Sequence, residues 1–241
     1  MYKVLLASGC SFTHGDNTWP NHLSEYLNID LVNVGMGSMG NTLIARRAIA
    51  ELSTLLQSYR PEEILVGIMW SGTNRIHRYI GPVPQLSNTC EWVENPTNLW
   101  SDGPKTWEIS NNHWDTEFAK NYIKYIHTFE DSMMNTLDSI LLTQNYFNSH
   151  KVGYFMSSIF NFYTDLNTMP DEIVKYSKLV DYTKFADLGG CAEWCVANQI
   201  DSEYIAIKQD WLEHPEREGY KEYTKQVLLP FLKNIKINNT I

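Results

Sequence analysis

Residues 4–15 constrain the fold of this chain more than any other stretch. They begin with a short apolar run, VLLA, which changes abruptly to small and hydroxyl-bearing residues, SGCSFTHG. This pattern predicts a buried β-strand that leads directly into a tight turn carrying Ser11. In open α/β sheets, ligands bind beyond the carboxyl ends of the strands, so Ser11 is a candidate nucleophile. The alternative is that Gly9 and Gly15 are ordinary turn glycines and that Ser11 caps the next helix.

Short apolar runs alternate with helical patterns along most of the chain. The run from Ile64 to Trp70 is apolar throughout, as expected for a central parallel strand that is buried on both faces. Other strands are predicted at 29–34, 152–159 and 204–207, and helices at 20–27, 42–59, 116–148, 171–180, 191–197 and 215–233. The alternation predicts a three-layer α/β/α sandwich with a parallel sheet and right-handed crossovers, in one domain that spans residues 1–241.

Residues 80–115 break this alternation. The segment is rich in Pro, Asn, Ser and Gly and contains Trp92, Trp100, Trp107 and Trp114. A long irregular segment inside a compact domain is typical of a lid, so we expect a lid-like insertion here. The tryptophans are either apolar side chains that are buried and anchor the segment, which is the favoured interpretation, or residues that stack on a flat ligand such as a sugar. Trp92 and Trp100 are the candidate substrate-binding residues of this insertion.

Composition narrows the class of function. The chain carries 19 Lys and Arg against 28 Asp and Glu, and this formal net charge of −9 argues against a nucleic-acid partner. No stretch approaches the roughly 18 apolar residues of a membrane span, and the start lacks a secretory pattern. The spacing of the cysteines fits neither a disulfide framework nor a zinc site, so we expect buried, reduced thiols at Cys10, Cys90, Cys191 and Cys195. A cytoplasmic protein without a membrane partner, metal or cofactor is predicted, and its oligomeric state is open.

Polar residues follow the predicted strands at the points where chemistry is expected. Ser11 follows the first strand, a glycine-rich segment at 35–40 follows the second, and Asn74 follows the third. Asp210 and His214 stand just before the last predicted helix. A serine hydroxyl needs a base such as imidazole to take its proton, and an acid near that base orients the ring. Backbone amides beside glycines and a side-chain amide are suitable donors to an oxyanion.

This ordered set resembles the SGNH (GDSL-like) hydrolase superfamily. That family has a G-D-S block after the first strand, an N-x-G-x-x-G-like block after the second, G-x-N after the third and D-x-x-H-P before the last helix. Here the blocks read Gly9-Cys10-Ser11, NVGMGS at 33–38, Gly72-Thr73-Asn74, and Asp210 with His214-Pro215. The resemblance covers nearly the whole chain. It implies the flavodoxin-like fold of these enzymes and an esterase activity that needs no cofactor.

The resemblance also implies roles for individual residues. Ser11 corresponds to the nucleophile, whose backbone amide also donates to the oxyanion. Asn74 corresponds to the side-chain donor, and His214 to the general base. The loop donor is Gly37 or Ser38, because the spacing from the start of the block favours Ser38 whereas the residue type favours Gly37.

The chain departs from the family pattern at two places. Cys10 replaces the aspartate of the first block. Asp210, the candidate orienting acid, lies four residues before His214 instead of three, so its carboxylate is expected to miss the ring unless the turn is rearranged. Glu213 is an alternative acid, and a dyad that uses a backbone carbonyl is another. Both acids are also consistent with an acidic first turn that the helix dipole favours.

The sequence therefore predicts a serine esterase that removes an O-acyl group from a carbohydrate or another small metabolite. The alternative is a catalytically inactive SGNH-fold protein with a binding or structural role, which the two departures motivate. His14 and Arg75 are candidate substrate-binding residues. His14 alternatively belongs to the turn after the first strand. Arg75 either binds an anionic group or pairs with an acidic neighbour, and the ion pair is favoured in so acidic a chain. Phe12 and Trp70 are predicted to be core residues beside the site.

Overall fold

A computed structural model of the protein describes residues 2–79, 107–110, 121, 124–161, 166–200 and 214–238. The strands of this part of the chain are β1 (Val4–Gly9), β2 (Asp30–Asn33), β3 (Ile64–Trp70), β4 (Ile76–Tyr79), β5 (Trp107–Ser110) and β6 (Gly153–Ser158). Four of them form a parallel sheet in the order β2-β1-β3-β6. All four strands therefore end at the same edge of the sheet. Ser11 follows β1 at this edge, and the segments after β2 and β3 begin there.

Helices cover the sheet on two sides, so the predicted three-layer α/β/α fold class is confirmed. Their bounds are α1 (Trp19–Leu27), α2 (Asn41–Leu55), α3 (Phe129–Ser149), α4 (Asp171–Ser177), α5 (Cys191–Ala197), α6 (Arg217–Tyr223) and α7 (Leu229–Asn238). A π-helical turn at Thr224–Leu228 joins α6 to α7, and short 3-10 turns lie at Pro61–Glu63 and Tyr182–Lys184. Helix α2 packs against β1, β3 and α3, whereas α1 packs against β1, β2, α6 and the π-helical turn.

The core is densest around β1 and β3, whose residues are buried along their whole lengths. Trp19 of α1 packs over Gly67 of β3, and a Cβ atom at Gly67 would lie 2.8 Å from the indole and 2.6 Å from the Phe155 ring. The indole Nε1 also donates a hydrogen bond of 3.0 Å to Thr13 Oγ1, so its one polar atom has a partner inside the core. This contact ties α1 to the turn that carries Ser11.

The predicted helix at 116–148 is interrupted: residues 121, 124 and 125 are helical, but the chain leaves the helical path at 126–128. Helix α3 begins at Phe129, and the preceding Thr128 has an extended backbone, with φ −126° and ψ 158°. The Thr128 hydroxyl accepts a 3.0 Å hydrogen bond from the Asp131 backbone N–H, which makes Thr128 the N-cap of the helix. The apolar periodicity of the sequence continues on both sides of Thr128. Periodicity alone does not reveal a cap inside a helical pattern. At the other end of the chain the predicted start at 215 becomes Arg217, and the helical path continues to Asn238.

The inserted segment is not irregular throughout, contrary to prediction. Strand β4 pairs with β5 in an antiparallel two-stranded sheet, in which Tyr79 lies opposite Trp107. Trp107 is therefore a strand residue and not part of an irregular loop. The other tryptophans of the insertion and the predicted strand at 204–207 lie outside the described residues.

In the described ranges, no helix is both long enough and apolar enough to cross a membrane. The same ranges contain no group of three or more His, Cys, Asp and Glu side chains with a metal-binding arrangement. Cys10, Cys191 and Cys195 are free and buried, as predicted, whereas Cys90 lies outside the described part.

Candidate active site

Ser11 lies in a tight turn that directly follows β1 and begins at Cys10. The backbone N–H groups of Thr13 and His14 both donate to the Cys10 carbonyl, at 2.9 and 3.0 Å, and these bonds close the turn around Ser11. A Cβ atom at Gly9 would collide with the Thr13 side chain and lie 2.9 Å from a backbone carbonyl of β3. Glycine at position 9 therefore allows the turn to fold back closely onto its own strand. The side chain of Ser11 stays partly accessible at the edge of the sheet.

The structure brings His214 to Ser11 across 203 positions of sequence. The distance between His214 Nε2 and Ser11 Oγ is 2.5 Å, a short hydrogen bond. The imidazole also packs against the ring of Phe12, with 4.7 Å between ring centroids. Phe12 is 2% exposed, and the edges of Tyr220 and Phe160 meet it at centroid distances of 6.1 and 6.5 Å. Phe12, predicted only as core, therefore also supports the histidine, which the sequence did not reveal.

The surroundings of His214 favour its neutral form. Packing against Phe12 removes water from one side of the imidazole, and this partial burial lowers the pKa of His214 below its ordinary value. The positive charge of Arg75 lowers the pKa of His214 further. In the tautomer that carries its proton on Nδ1, the neutral imidazole accepts at Nε2 a hydrogen bond that the Ser11 hydroxyl donates. This is the arrangement that a general base requires.

The segment after β2 is tied to the turn that carries Ser11. Asn33 Oδ1 accepts a 2.9 Å hydrogen bond from the Gly35 backbone N–H, and Asn33 Nδ2 donates a 2.6 Å bond to the Thr13 carbonyl. The Met36 backbone N–H donates to the Gly9 carbonyl at 3.2 Å. One asparagine thus holds both chain segments at the edge of the sheet. The sequence offered a signal for this role, since Asn33 opens the second block.

Gly37 and Ser38 lie at the tip of this segment, and both are partly accessible. Ser38 has a φ of 62°, a left-handed conformation that is uncommon for residues other than glycine. Among the described residues, neither backbone N–H has a hydrogen-bond acceptor. Both N–H groups therefore remain candidates for binding an oxyanion.

Asn74 lies in the segment that follows β3. A Cβ atom at Gly72 would lie 3.2 Å from Asn74 Oδ1, so the amide folds back over a glycine that leaves room for it. Within the described ranges the Asn74 side chain has no hydrogen-bond partner. Its amide N–H groups are therefore available to a ligand.

Asn41, the first residue of α2, holds the beginning of the segment that follows β3. Its Oδ1 accepts a 2.8 Å hydrogen bond from the Ser71 backbone N–H, and its Nδ2 donates to the Ser71 carbonyl at 3.2 Å and to Thr136 Oγ1 at 2.9 Å. Asn41 is buried, so each of these bonds satisfies a polar group that water does not reach. The sequence contains no sign of this role, because Thr136 is 95 positions away and no local pattern links the two residues.

We expect Asn41→Ala to lower the free energy of unfolding by about 2 kcal/mol, because it leaves buried groups of Ser71 and Thr136 without partners. Chemical denaturation followed by circular dichroism measures the change. Asn135→Ala is the matched control, since Asn135 lies on the exposed face of α3 and its amide bonds to Asp131 of the same helix. Equal losses in the two variants would show that the bonds of Asn41 do not carry this stability.

The remaining predicted site residues are divided between the described and undescribed parts of the chain. His14 is exposed, and its Nδ1–H donates a 3.0 Å hydrogen bond to the Gly35 carbonyl, so it connects the Ser11 turn to the segment after β2. Arg75 is partly buried and close enough to act on His214 by its charge. Four of the predicted residues, Asp210, Glu213, Trp92 and Trp100, lie outside the described residues.

A family model described as a family of unknown function, DUF6071, matches residues 8–172. No curated protein matches the sequence. A solved structure of a protein described as lipolytic and of the G-D-S-L family, from Desulfitobacterium hafniense DCB-2, is 14% identical, with 93% of this chain and 97% of that chain covered and a TM-score of 0.41. An acetyl xylan esterase is 10% identical, with 92% and 96% covered and a TM-score of 0.45. Similarity at this level does not assign the site.

Proposed function

Because the chain belongs to the DUF6071 family, whose function is unknown, we propose an activity from its own site: a serine hydrolase of the SGNH type that acts on esters. The observation that carries the proposal is the 2.5 Å hydrogen bond between Ser11 Oγ and His214 Nε2. The nucleophile and its base are thus within direct proton-transfer distance at the edge of the sheet where ligands bind.

In the proposed acylation, Ser11 Oγ attacks the carbonyl carbon of the ester while His214 Nε2 takes the hydroxyl proton. The carbonyl oxygen becomes an oxyanion, which accepts hydrogen bonds from the Ser11 backbone N–H, from the backbone N–H of Gly37 or Ser38, and from the Asn74 amide. The bond to the alcohol then breaks, and His214 gives its proton to the departing alkoxide. The acyl group remains bound to Ser11 as an ester.

Deacylation repeats these steps with water. His214 takes a proton from the water, whose oxygen attacks the acyl carbon, and the same donors bind the second oxyanion. When the bond to Ser11 Oγ breaks, His214 returns the proton to the serine. The lowered pKa of His214 supports this cycle, because the free imidazole is then neutral at physiological pH. The proposed reaction needs no metal or organic cofactor.

The partner of His214 Nδ1 is part of the proposal. Asp210 or Glu213 orients the imidazole, or a backbone carbonyl does so in a Ser–His dyad. The packing of Phe12 against the ring supports the dyad, since it restricts the imidazole without a carboxylate. We also propose that the chain forms one domain, 1–241, with a lid-like insertion at about 80–115.

The proposed substrate is an O-acyl ester of a carbohydrate or another small metabolite. The tryptophan content of the insertion supports this choice, because indole rings stack on the apolar faces of sugars. Trp92 and Trp100 are the residues proposed to make these contacts.

Labelling with a fluorophosphonate, detected by intact mass, tests the activity. We expect one adduct on the wild type and none on Ser11→Ala, because only an activated serine attacks the phosphorus atom. Ser53→Ala is the matched control, since Ser53 lies exposed on α2 and this variant is expected to retain the adduct. An unlabelled wild type, under conditions that label an established serine hydrolase, would refute the proposal and favour the non-catalytic binding protein.

A further inference from the structure

We propose that Arg75 binds an anionic group of the ester substrate, so that the substrates of this site are negatively charged esters. This inference rests on the proposed function and names the substrate class. The anionic group, a carboxylate or a phosphate, belongs to either the acyl part or the alcohol part of the ester.

The backbone of Arg75 is fixed against the beginning of α2. A Cβ atom at Gly40 would collide with the Arg75 carbonyl oxygen and would lie 2.9 Å from its carbon. The glycine allows this close approach, which joins the segment after β3 to the segment after β2. Arg75 also follows Asn74 directly, so its side chain begins beside a proposed oxyanion donor.

Within the described part of the chain, the guanidinium group of Arg75 lacks the acidic partner that the sequence favoured. Its Nη1 atom is buried and makes no hydrogen bond, and no acidic residue of the described ranges forms an ion pair with it. A buried charged donor without an acceptor is costly, because it has lost water without gaining a replacement. A carboxylate or phosphate would supply that acceptor, and its oxygens match the planar fork of guanidinium N–H groups.

The charge of Arg75 acts where the reaction is proposed to occur. Arg75 lies in the segment that also carries Asn74, and its positive charge lowers the pKa of the imidazole that contacts Ser11. In the proposed complex, the anionic group of the ester contacts Arg75 while its carbonyl carbon meets Ser11. The net charge of −9 repels anions from the protein as a whole, so a local cation is needed to hold such a substrate at the site.

Matched pairs of esters test the preference and distinguish the two positions of the anionic group. The first pair, para-nitrophenyl hydrogen adipate and para-nitrophenyl hexanoate, differs by a carboxylate on the acyl part. The second pair, para-acetoxybenzoate and its methyl ester, differs by a carboxylate on the alcohol part. For at least one pair we expect the wild type to hydrolyse the anionic member with a kcat/KM about 10- to 100-fold above that of the neutral member.

Arg75→Met removes the charge and keeps much of the length of the side chain. We expect it to abolish the preference mainly through KM for the anionic ester, whereas Arg75→Lys restores part of it. A second measurement does not depend on turnover: adipate or inorganic phosphate is expected to slow fluorophosphonate labelling of the wild type and to have no such effect on Arg75→Met. A purely structural role of Arg75 would not produce this difference between anionic and neutral ligands.

Two failures are distinguishable. If the wild type takes no fluorophosphonate, the proposed function fails, and the inference fails with it. If Ser11 is labelled, but neither anion slows labelling and no ester pair shows a preference that Arg75→Met removes, only the inference is overturned. Arg75 would then be neutralised by the protein itself, with Asp210 or Glu213 as the residues to replace next.

Discussion

His214→Gln is expected to lower kcat/KM for ester hydrolysis by about 1000-fold or more, mainly through kcat. Glutamine has no group that takes the Ser11 proton at neutral pH, so the serine hydroxyl remains a weak nucleophile. Initial rates on para-nitrophenyl acetate measure the effect, and fluorophosphonate labelling is expected to slow in parallel. An unchanged kcat would refute the role of His214 as the base.

His150→Gln is the matched control, because His150 follows the exposed end of α3 and its ring contacts Tyr146 rather than the site. We expect its kinetics to equal those of the wild type. The pH profile of the wild type adds a second test of His214. Because the pKa of His214 is lowered, the acidic loss of kcat/KM is expected at pH values below 6.5, the ordinary value for histidine.

Asn74→Ala is expected to lower kcat by about 100- to 1000-fold and to change KM little. The Asn74 amide is proposed to bind the oxyanion, whose charge develops only in the transition state, so its loss affects the chemical step more than substrate binding. Steady-state kinetics on para-nitrophenyl acetate separate kcat from KM.

Thr73→Ala is the control for this prediction, since it changes a neighbouring side chain of the same segment that has no proposed contact with the oxyanion. We expect it to retain nearly all activity. Thermal denaturation of both variants checks that the segment still folds. A well-folded Asn74→Ala protein with the kcat of the wild type would remove Asn74 from the oxyanion site.

The strands and helices that could be predicted are those that local apolar patterns define. The apolar run at Ile64–Trp70 corresponds to β3 residue for residue, and the predicted helix at 191–197 corresponds to α5. The beginning of α3 could not be predicted in this way. The apolar periodicity continues through Thr128, where a single side-chain bond to the backbone begins a new helix. The pairing of β4 with β5 was missed because 27 residues separate the two strands.

For the site, the sequence by itself determined which chemical groups stand at the ends of the strands. Their order along the chain was enough to predict a nucleophile at Ser11, a base at His214 and a donor at Asn74. The tertiary structure alone decided that Ser11 Oγ and His214 Nε2 lie 2.5 Å apart, and that Asn41 joins two segments of the site through Ser71. Hydrogen bonds of this kind depend on how distant segments pack, and local sequence patterns carry no information about such distances.

The environment of Arg75 was likewise decided by packing. Composition favoured an ion pair, because acidic residues outnumber basic ones in this chain. In the described ranges, however, the fold leaves the Arg75 guanidinium without an acidic partner and brings its charge to His214. A count of charges predicts the average surroundings of a side chain, whereas an active site depends on the few groups that the fold places within a few ångströms.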